Sequence, residues 1–291
     1  MEADAEAWLD GLPRSLTVHA GILKKLLAQV KADPRFRALQ VQGSIVRGEG
    51  DEYSDVDLGL VTHDAVWPGI IEDLPNLFAG LGDVVDSFHF PIPGDGPIQP
   101  HRSLTQYRSG VQLDAVVLPV QILPGRLPDA RTLYDPSGYL VPCEHPVRVT
   151  SPENVDIWTF MGWHALGEVD KHLRRRWLFS ALEWLGAARA HYVRLWAASN
   201  GLEYAGYAYQ MAGAIDKGKC PSPPGLELTT ARLDWGEIHE AALRCAALLE
   251  AIPYDRIDSQ VPTYTAQRAL GPWVRARLAS LKEGGRRPHR P

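Results

Sequence analysis

Apolar residues recur along the first part of the chain with the period of a helix and then of short strands. Between residues 14 and 31 they return every three or four positions, which places them on one face of a helix that ends before Asp33-Pro34. These positions are Leu16, Ala20, Leu23, Leu27 and Val30. Apolar runs at 38–43 and 55–61 then predict two strands, connected by a loop rich in glycine and charge.

The next part of the chain continues with short strands and one weak helical segment. The segment 69–80 predicts the helix, and the β-branched and aromatic run at 84–90 predicts a strand. The strand-like segments 103–108 and 111–118 flank Ser109-Gly110, which is typical of a two-residue hairpin turn, and a last turn or strand lies near 132–141. Helices among short strands, at least two of them antiparallel, predict an α/β layer with a mixed sheet.

Helical signals replace the strand pattern near residue 150. Ser151-Pro152-Glu153 combines a capping residue, a first-turn proline and a first-turn acid, and two long helices that break within 171–176 are predicted to follow. Three more helices are predicted at 203–216, 235–251 and 264–283. The sequence therefore predicts an α+β protein: a mixed-sheet domain flanked by helices at 1–149, an all-α helical bundle at 150–283 and a disordered tail at 284–291.

The composition is that of a globular protein. Of 291 residues 45% are hydrophobic and 22% are charged, and the net charge of -5 does not favour bulk nucleic-acid binding. No apolar run approaches the ~20 residues of a membrane helix, and the acidic N-terminus is unlike a signal peptide. Cys143, Cys220 and Cys245 are far apart and predict free thiols. These features predict a soluble cytoplasmic protein and leave its oligomeric state open.

Two carboxylates open the strand predicted at 55–61. Side chains two positions apart project from the same face of a strand, so Asp55 and Asp57 point together while their apolar neighbours face the core. Adjacent carboxylates repel each other, and a cation removes that cost. Magnesium typically binds one or two carboxylates together with substrate phosphates. The pair therefore predicts a divalent-metal site, with an exposed pair at a strand end as the alternative.

Two further features support the metal hypothesis. Gly43-Ser44 ends the preceding strand, where glycine lets the backbone approach a phosphate and serine offers a hydroxyl and an N–H group. Asp114 lies inside the apolar run at 111–118, on the face opposite its apolar neighbours, where a carboxylate requires a partner. If that strand lies beside 55–61, the three carboxylates can converge on one or two metal ions.

The segment GSIVRGEGDEYSDVDLGLV resembles the signature of the nucleotidyltransferase superfamily, which includes DNA polymerase β and the antibiotic adenylyltransferases. That signature is Gly-Ser, about ten residues, Asp-x-Asp at the head of a strand, and an acidic residue on a later strand. The matching residues are Gly43, Ser44, Asp55, Asp57 and Asp114, and the flanking match includes Arg47, Gly48 and Ser54. The resemblance covers about residues 15–140. The helical second half looks like that of the small-molecule adenylyltransferases, aminoglycoside-modifying enzymes among them.

The resemblance implies transfer of a nucleoside monophosphate, most simply AMP from ATP, to a hydroxyl of a small molecule such as an aminoglycoside antibiotic. Asp55 and Asp57 would bind two Mg²⁺ ions, and Asp114 would complete the second metal site and orient or deprotonate the acceptor. The nucleotide would be held by Gly43, Ser44, Arg47 and Ser54.

The predicted helical bundle offers weaker candidates for the acceptor or phosphate side. Glu168 shares a helical face with His164 and His172 and is a candidate acceptor-binding group or general base, with a solvated helix face as the alternative. Lys171 and Arg175 belong to a charge run that could reach the triphosphate, although such runs usually face solvent.

Two other functions fit the same residues. One is adenylylation of a protein or of an RNA end, as in toxin–antitoxin systems that use this fold. The other is nucleotide binding without catalysis, against which the presence of all three carboxylates argues.

Overall fold

The chain forms two compact units, Met1–His145 and Pro146–Pro291. The structure is a computed structural model that describes residues 2–93, 98–126, 129–142, 152–202, 208–257 and 265–282. The first unit contains a six-stranded sheet with helices, and the described part of the second unit is helical, so the predicted α+β class is confirmed. The predicted domain boundary at 149/150 and the predicted tail at 284–291 lie outside the described residues.

The first unit alternates helices and strands. Helices α1 (Glu2–Asp10) and α2 (Thr17–Ala32) precede strands β1 (Phe36–Gln42) and β2 (Val56–Thr62), and helix α3 (Trp67–Ala79) follows. The remaining strands are β3 (Val84–Pro91), β4 (His101–Tyr107), β5 (Gln112–Pro119) and β6 (Arg131–Tyr134). Each helix and strand predicted in this half is present, and α1 is an additional element.

The six strands form one sheet in the order β3-β4-β5-β2-β1-β6. Strands β2 and β5 run parallel, whereas every other pair of neighbours in the sheet is antiparallel. The predicted mixed sheet is therefore confirmed. Because parallel strands cannot be joined by a hairpin, a crossover connects β2 to β5, and it contains α3, β3 and β4.

The loop of the β4–β5 hairpin is longer than the sequence predicted. Leu104 pairs with Asp114, and the Tyr107 N–H donates to the Val111 carbonyl over 2.9 Å, so the loop contains the three residues 108–110. Gly110 has a φ of +93°, in the left-handed region that three-residue hairpin loops place at this position. The predicted two-residue turn was wrong. The extra residue shifts the register by one, which exchanges the two faces of β4 relative to β5.

Side chains along β2 and β5 alternate between the two faces of the sheet, and one of these faces is largely apolar in both strands. The fully buried residues at alternate positions of these strands are Val56, Leu58, Leu60, Leu113, Ala115 and Val117. They belong to the same hydrophobic cluster as the buried residues of α2. Asp57 and Asp114 occupy the intervening positions and project from the other side of the sheet.

The second unit consists of helices in its described residues. These are α4 (Pro152–Arg175), α5 (Leu178–Ser199), α6 (Ala208–Asp216), α7 (Trp235–Glu250) and α8 (Thr265–Ala279). The predicted break separates α4 from α5, where Arg176 has a left-handed backbone with a φ of +59°. Residues 203–207 of the helix predicted at 203–216 lie outside the described residues. None of the described helices combines the length and the apolar character that a bilayer-crossing helix needs.

A buried carboxylate joins α4 to α8 within the second unit. Asp170 is fully buried, and it accepts hydrogen bonds from Arg174 Nε over 2.9 Å and from Arg277 Nε over 2.8 Å. The two guanidinium groups are partly exposed, so they keep some contact with solvent while they neutralise the carboxylate. A buried charge that is paired in this way becomes costly when its partner is removed.

We expect Asp170→Asn to lower the free energy of unfolding of the second unit by about 2–3 kcal/mol, because it leaves two guanidinium groups without their carboxylate. The matched control is Glu240→Gln, which removes an exposed ion pair between Glu240 and Arg244 with an N–O distance of 3.4 Å. Its effect should stay within about 0.5 kcal/mol. Urea denaturation of both variants measures the difference, and equal losses would contradict a structural role for Asp170.

Candidate active site

Asp57 and Asp114 lie side by side on neighbouring strands. They are paired in the register of the parallel strands β2 and β5. Directly paired residues project from the same face of a sheet, and adjacent strands are about 4.8 Å apart. Asp55 lies two residues before Asp57, just ahead of the start of β2 at Val56. The structure therefore places close together the three aspartates that the sequence singled out.

Asp55, Asp57 and Asp114 are called the carboxylate cluster below, and burial and repulsion disfavour the charged forms of two of its members, Asp55 and Asp57. Asp57 is half-buried, and burial, reinforced by the carboxylates of Asp114 and Asp55, raises its pKa to about 6. Burial and the charge of Asp114 also raise the pKa of Asp55. An additional positive charge at this position would therefore stabilise the folded protein at neutral pH.

Asp114 has a cationic partner that sequence reasoning missed. Arg102 on β4 projects from the same face, and its Nε donates to Asp114 Oδ1 over 2.8 Å while its Nη2 donates to Oδ2. The Asp114 side chain is 14% exposed and that of Arg102 is 40% exposed. The sequence predicted that Asp114 requires a partner and assigned that role to a metal ion. In this structure the partner is a bidentate arginine.

Arg47 adds a second positive charge near the cluster. Its charge opposes the rise in the pKa of Asp57. The guanidinium itself contacts Asp129 over 3.0 Å and Glu49 over 3.5 Å. Arg47 thus lies within electrostatic reach of Asp57 and is ion-paired to other residues.

Gly43 brings the backbone against Asp57. Its φ of +79° lies in the left-handed region, and a Cβ at this position would overlap Asp57 Oδ2 and lie 3.0 Å from Asp57 Cγ. Glycine is therefore needed here both for the backbone conformation and for the space it leaves. Any side chain at position 43 would displace the Asp57 carboxylate.

The turn that follows Gly43 has unused backbone donors. The Arg47 N–H donates to the Gly43 carbonyl over 3.3 Å, and the Glu49 N–H donates to the Ser44 carbonyl over 2.9 Å, which closes the turn. The N–H groups of residues 44–46 donate no hydrogen bond to a described residue. Such groups are suited to binding an anion.

The loop before Asp55 is held in place from two sides. The Asp51 N–H donates to Ser54 Oγ over 3.0 Å, and that hydroxyl donates to Asp51 Oδ1 over 3.1 Å. The buried His19 of α2 donates from Nε2 to the Ser54 carbonyl over 2.7 Å, because a carbonyl can only accept. Ser54 was predicted to contact the nucleotide, and in this structure its hydroxyl closes the loop that carries Asp55.

The three weaker candidates lie in the second unit, on α4. Lys171 forms an ion pair with Glu168, and this contact is the main reason why the pKa of Glu168 is lowered. A lowered pKa keeps Glu168 ionised and weakens it as a base. The guanidinium of Arg175 lies 4.9 Å from the ring centre of Trp177. The structure thus gives Glu168, Lys171 and Arg175 local partners within their own unit.

The carboxylate cluster fits a divalent cation through two of its members. No described side chain donates a hydrogen bond or forms an ion pair with Asp55 or Asp57. Among the described residues, no set of three or more histidine, cysteine, aspartate and glutamate side chains is arranged to hold a metal ion, and Asp114 faces Arg102 instead. Magnesium commonly binds one or two carboxylates plus substrate phosphates. Asp55 and Asp57 fit this pattern better than a cage of three carboxylates does.

Comparison with known proteins gives structural similarities and no sequence match. No protein-family model matches the chain, and no curated protein sequence matches it. Twelve chains of solved structures are similar to it. One of them is an aminoglycoside 6-adenyltransferase from Bacillus subtilis, with 14% sequence identity and a TM-score of 0.40, over 89% of this chain and 98% of that chain. A similarity at this level assigns neither an activity nor a ligand to the present chain.

The raised pKa of Asp57 makes stability depend on pH. An aspartate with a pKa near 3.9 in the unfolded chain and about 6 in the folded one destabilises the fold as pH rises through this interval. Without divalent cations, Asp57→Asn should therefore be more stable than the wild type by about 1–2 kcal/mol above pH 6, after allowance for partial solvent exposure. The gain should vanish near pH 4. Urea denaturation in EDTA at pH 4, 5, 6 and 7.5 measures it.

The control for this prediction is Asp83→Asn. Asp83 is exposed and pairs with Arg108 at an N–O distance of 3.3 Å. Its substitution should leave stability within about 0.5 kcal/mol of the wild type throughout the same pH range. A stability difference for Asp57→Asn that does not change with pH would contradict the proposed repulsion.

Gly43→Ala and Gly48→Ala separate backbone strain from the contact with Asp57. Both glycines have left-handed backbones, with φ of +79° and +72°, but a Cβ at Gly48 meets no atom within 4 Å. Gly48→Ala should lower the free energy of unfolding by about 1 kcal/mol, the cost of the left-handed conformation. Gly43→Ala should cost at least about 1 kcal/mol more, because it also displaces the Asp57 carboxylate. Parallel urea titrations compare the two, and equal costs would show that Gly43 does not contact Asp57.

Proposed function

We propose that the chain is a metal-dependent nucleotidyltransferase that transfers a nucleoside monophosphate, most simply AMP from ATP, to a hydroxyl of a small molecule. The observation that carries this proposal is the pairing of Asp57 with Asp114 in register, beside the Gly43 turn and its free N–H groups. Clustered carboxylates next to backbone donors suit a polyphosphate that arrives with a divalent cation. The sequence signature described above supports the same reaction.

Asp55 and Asp57 would hold the metal in this proposal. The sequence resemblance indicates two Mg²⁺ ions, and a site made of carboxylate oxygens suits magnesium. When bound, such ions neutralise phosphate charge and stabilise the attacking and leaving oxygens of an in-line displacement.

The turn after β1 would bind the phosphates of the nucleotide. The N–H groups of residues 44–46 and the hydroxyl of Ser44 would donate to phosphate oxygens, with Gly43 allowing the backbone to approach. Arg47 would add a charge-assisted contact from the end of the same turn. Ser54 would contribute indirectly, by keeping the loop before Asp55 closed.

Asp114 would act on the acceptor. One of its carboxylate oxygens would receive the proton of the acceptor hydroxyl, whose oxygen forms a bond to the α-phosphorus. The bond from that phosphorus to the bridging oxygen breaks, and pyrophosphate leaves with the electron pair. Positioning of the hydroxyl and the phosphate in line supplies much of the rate enhancement in such a reaction.

The proposed acceptor is a small hydroxylated molecule of the kind that the aminoglycoside antibiotics represent. The support for this class is the sequence resemblance. An ionised Glu168 would attract a cationic acceptor, and Lys171 or Arg175 would serve the phosphate side. Free buried thiols at Cys220 and Cys245, together with ATP as a cosubstrate, fit a cytoplasmic location.

Pyrophosphate release tests the proposal. The full-length protein incubated with ATP, Mg²⁺ and a panel of aminoglycosides should release pyrophosphate with at least one acceptor, and EDTA should abolish the signal. Asp55→Asn, Asp57→Asn and Asp114→Asn should each lower the rate by at least about 10²-fold. Asp83→Asn, on the same unit but in an exposed ion pair, should retain full activity.

The outcomes also separate the acceptor classes. If labelled AMP appears on proteins or RNA of a cell lysate and no small molecule is turned over, the acceptor is a macromolecule. The proposed transfer of AMP would then still hold. Binding of ATP by calorimetry without turnover on any acceptor would indicate a nucleotide-binding protein. Full activity of Asp57→Asn would refute the mechanism.

A further inference from the structure

Arg102 places a guanidinium inside the carboxylate cluster. It binds both oxygens of Asp114 through Nε and Nη2, and its charge also reaches Asp57. The register of the β4–β5 hairpin fixes this contact, because Leu104 pairs with Asp114 and Arg102 is the next residue along β4 on the same face. Arg102 is therefore built into the same sheet that aligns the aspartates.

A guanidinium and a divalent cation compete for Asp114. Both carboxylate oxygens already accept hydrogen bonds from Arg102, and two cations that share one carboxylate repel each other. The described residues contain no three-ligand metal group, which agrees with Asp114 being engaged elsewhere. Asp55 and Asp57, by contrast, accept no hydrogen bond from a described side chain and form no ion pair with one. In this structure the cluster is divided into two carboxylates suited to a cation and one held by arginine.

Arg102 can exchange its contact with Asp114 for a contact with a phosphate. The planar guanidinium binds phosphate oxygens in the same two-point manner as a carboxylate, and a triphosphate carries more negative charge than a single carboxylate. The Arg102 side chain is 40% exposed, so it can change partner without opening the hydrophobic core.

We infer that Arg102 controls access to Asp114: it holds this carboxylate in the nucleotide-free protein and transfers to a phosphate of the bound nucleotide, which frees Asp114 for the cation and the acceptor hydroxyl. Arg102 is then a positioning residue, and cation binding at Asp114 follows nucleotide binding. The inference rests on the proposed nucleotidyltransferase function and adds to it an order of binding.

Binding of Mn²⁺ alone, measured by calorimetry without nucleotide, tests the competition through a double-mutant cycle. Asp114→Asn should change the Mn²⁺ affinity of the wild type by less than about twofold, because Asp114 is held by Arg102. Arg102→Gln should tighten Mn²⁺ binding about fivefold, since a competing cation is removed. Adding Asp114→Asn to Arg102→Gln should abolish that gain. Arg108→Gln, at the exposed end of the same hairpin, should have no effect.

Addition of α,β-methylene ATP tests the transfer of Arg102. With this nucleotide present, Asp114→Asn should weaken Mn²⁺ binding about tenfold in the wild-type background, because the carboxylate is now free. Arg102→Gln should weaken binding of the nucleotide itself. Arg102→Lys keeps the charge and loses the two-point contact, so it should recover only part of the nucleotide affinity.

The inference that Arg102 controls access to Asp114 would be overturned by one result. Without nucleotide, Asp114→Asn would then weaken Mn²⁺ binding equally in the wild type and in the Arg102→Gln variant. If Asp57→Asn weakens Mn²⁺ binding in the same experiments, the metal site proposed above survives that result. If Asp57→Asn has no effect in any background, the metal site falls, and the inference about Arg102 falls with it.

Discussion

The parallel pairing of β2 with β5 is the constraint on which the candidate site depends. It sets Asp57 opposite Asp114 in register, and no other pair of neighbouring strands in this sheet is parallel. A parallel pair needs a crossover, and here the crossover contains β4, which returns along the free edge of β5. The connection that creates the carboxylate pair therefore also delivers Arg102 to it.

The hydrophobic face of the same strands keeps the carboxylates together. Residues of β2 and β5 that alternate with Asp57 and Asp114 are fully buried, so neither strand can slide or rotate without exposing core residues. Repulsion between the carboxylates therefore appears as raised pKa values and not as separation of the strands. Arg102 and Arg47 reduce the repulsion but leave Asp55 and Asp57 without direct partners among the described residues.

Local sequence pattern was sufficient for most elements of the fold and for the three aspartates. Alternation placed Asp57 and Asp114 on faces opposite their apolar neighbours, and the hypothesis that their strands are adjacent agrees with the register. Helix α1 was missed because its buried residues, Ala5 and Leu9, provide only a single helical interval in an acidic segment. The spacing of apolar residues distinguishes a helix from a loop only when it repeats several times.

The partner of Asp114 could not be read from the sequence because it depends on one residue of loop length. With the predicted two-residue turn, Asp114 would face Thr105, and Arg102 would point into the core. With the observed three-residue loop, Leu104 lies opposite Asp114 and Arg102 reaches its carboxylate. The buried face of β4 gave little help, because it includes Ser103 and Thr105, which are polar.

Comparison with Asp170 shows what distinguishes a candidate site from a structural ion pair. Asp170 is fully buried and receives two guanidinium groups, so its charge is more than balanced and it serves to join two helices. The cluster of the first unit has three carboxylates and, within the part of the chain that the structure describes, one direct arginine contact, and its members remain partly open to solvent. Such an excess of negative charge weakens the fold unless a cation balances it. The sheet holds these carboxylates together despite their repulsion. Such an uncompensated negative charge is expected where a cationic ligand completes the site.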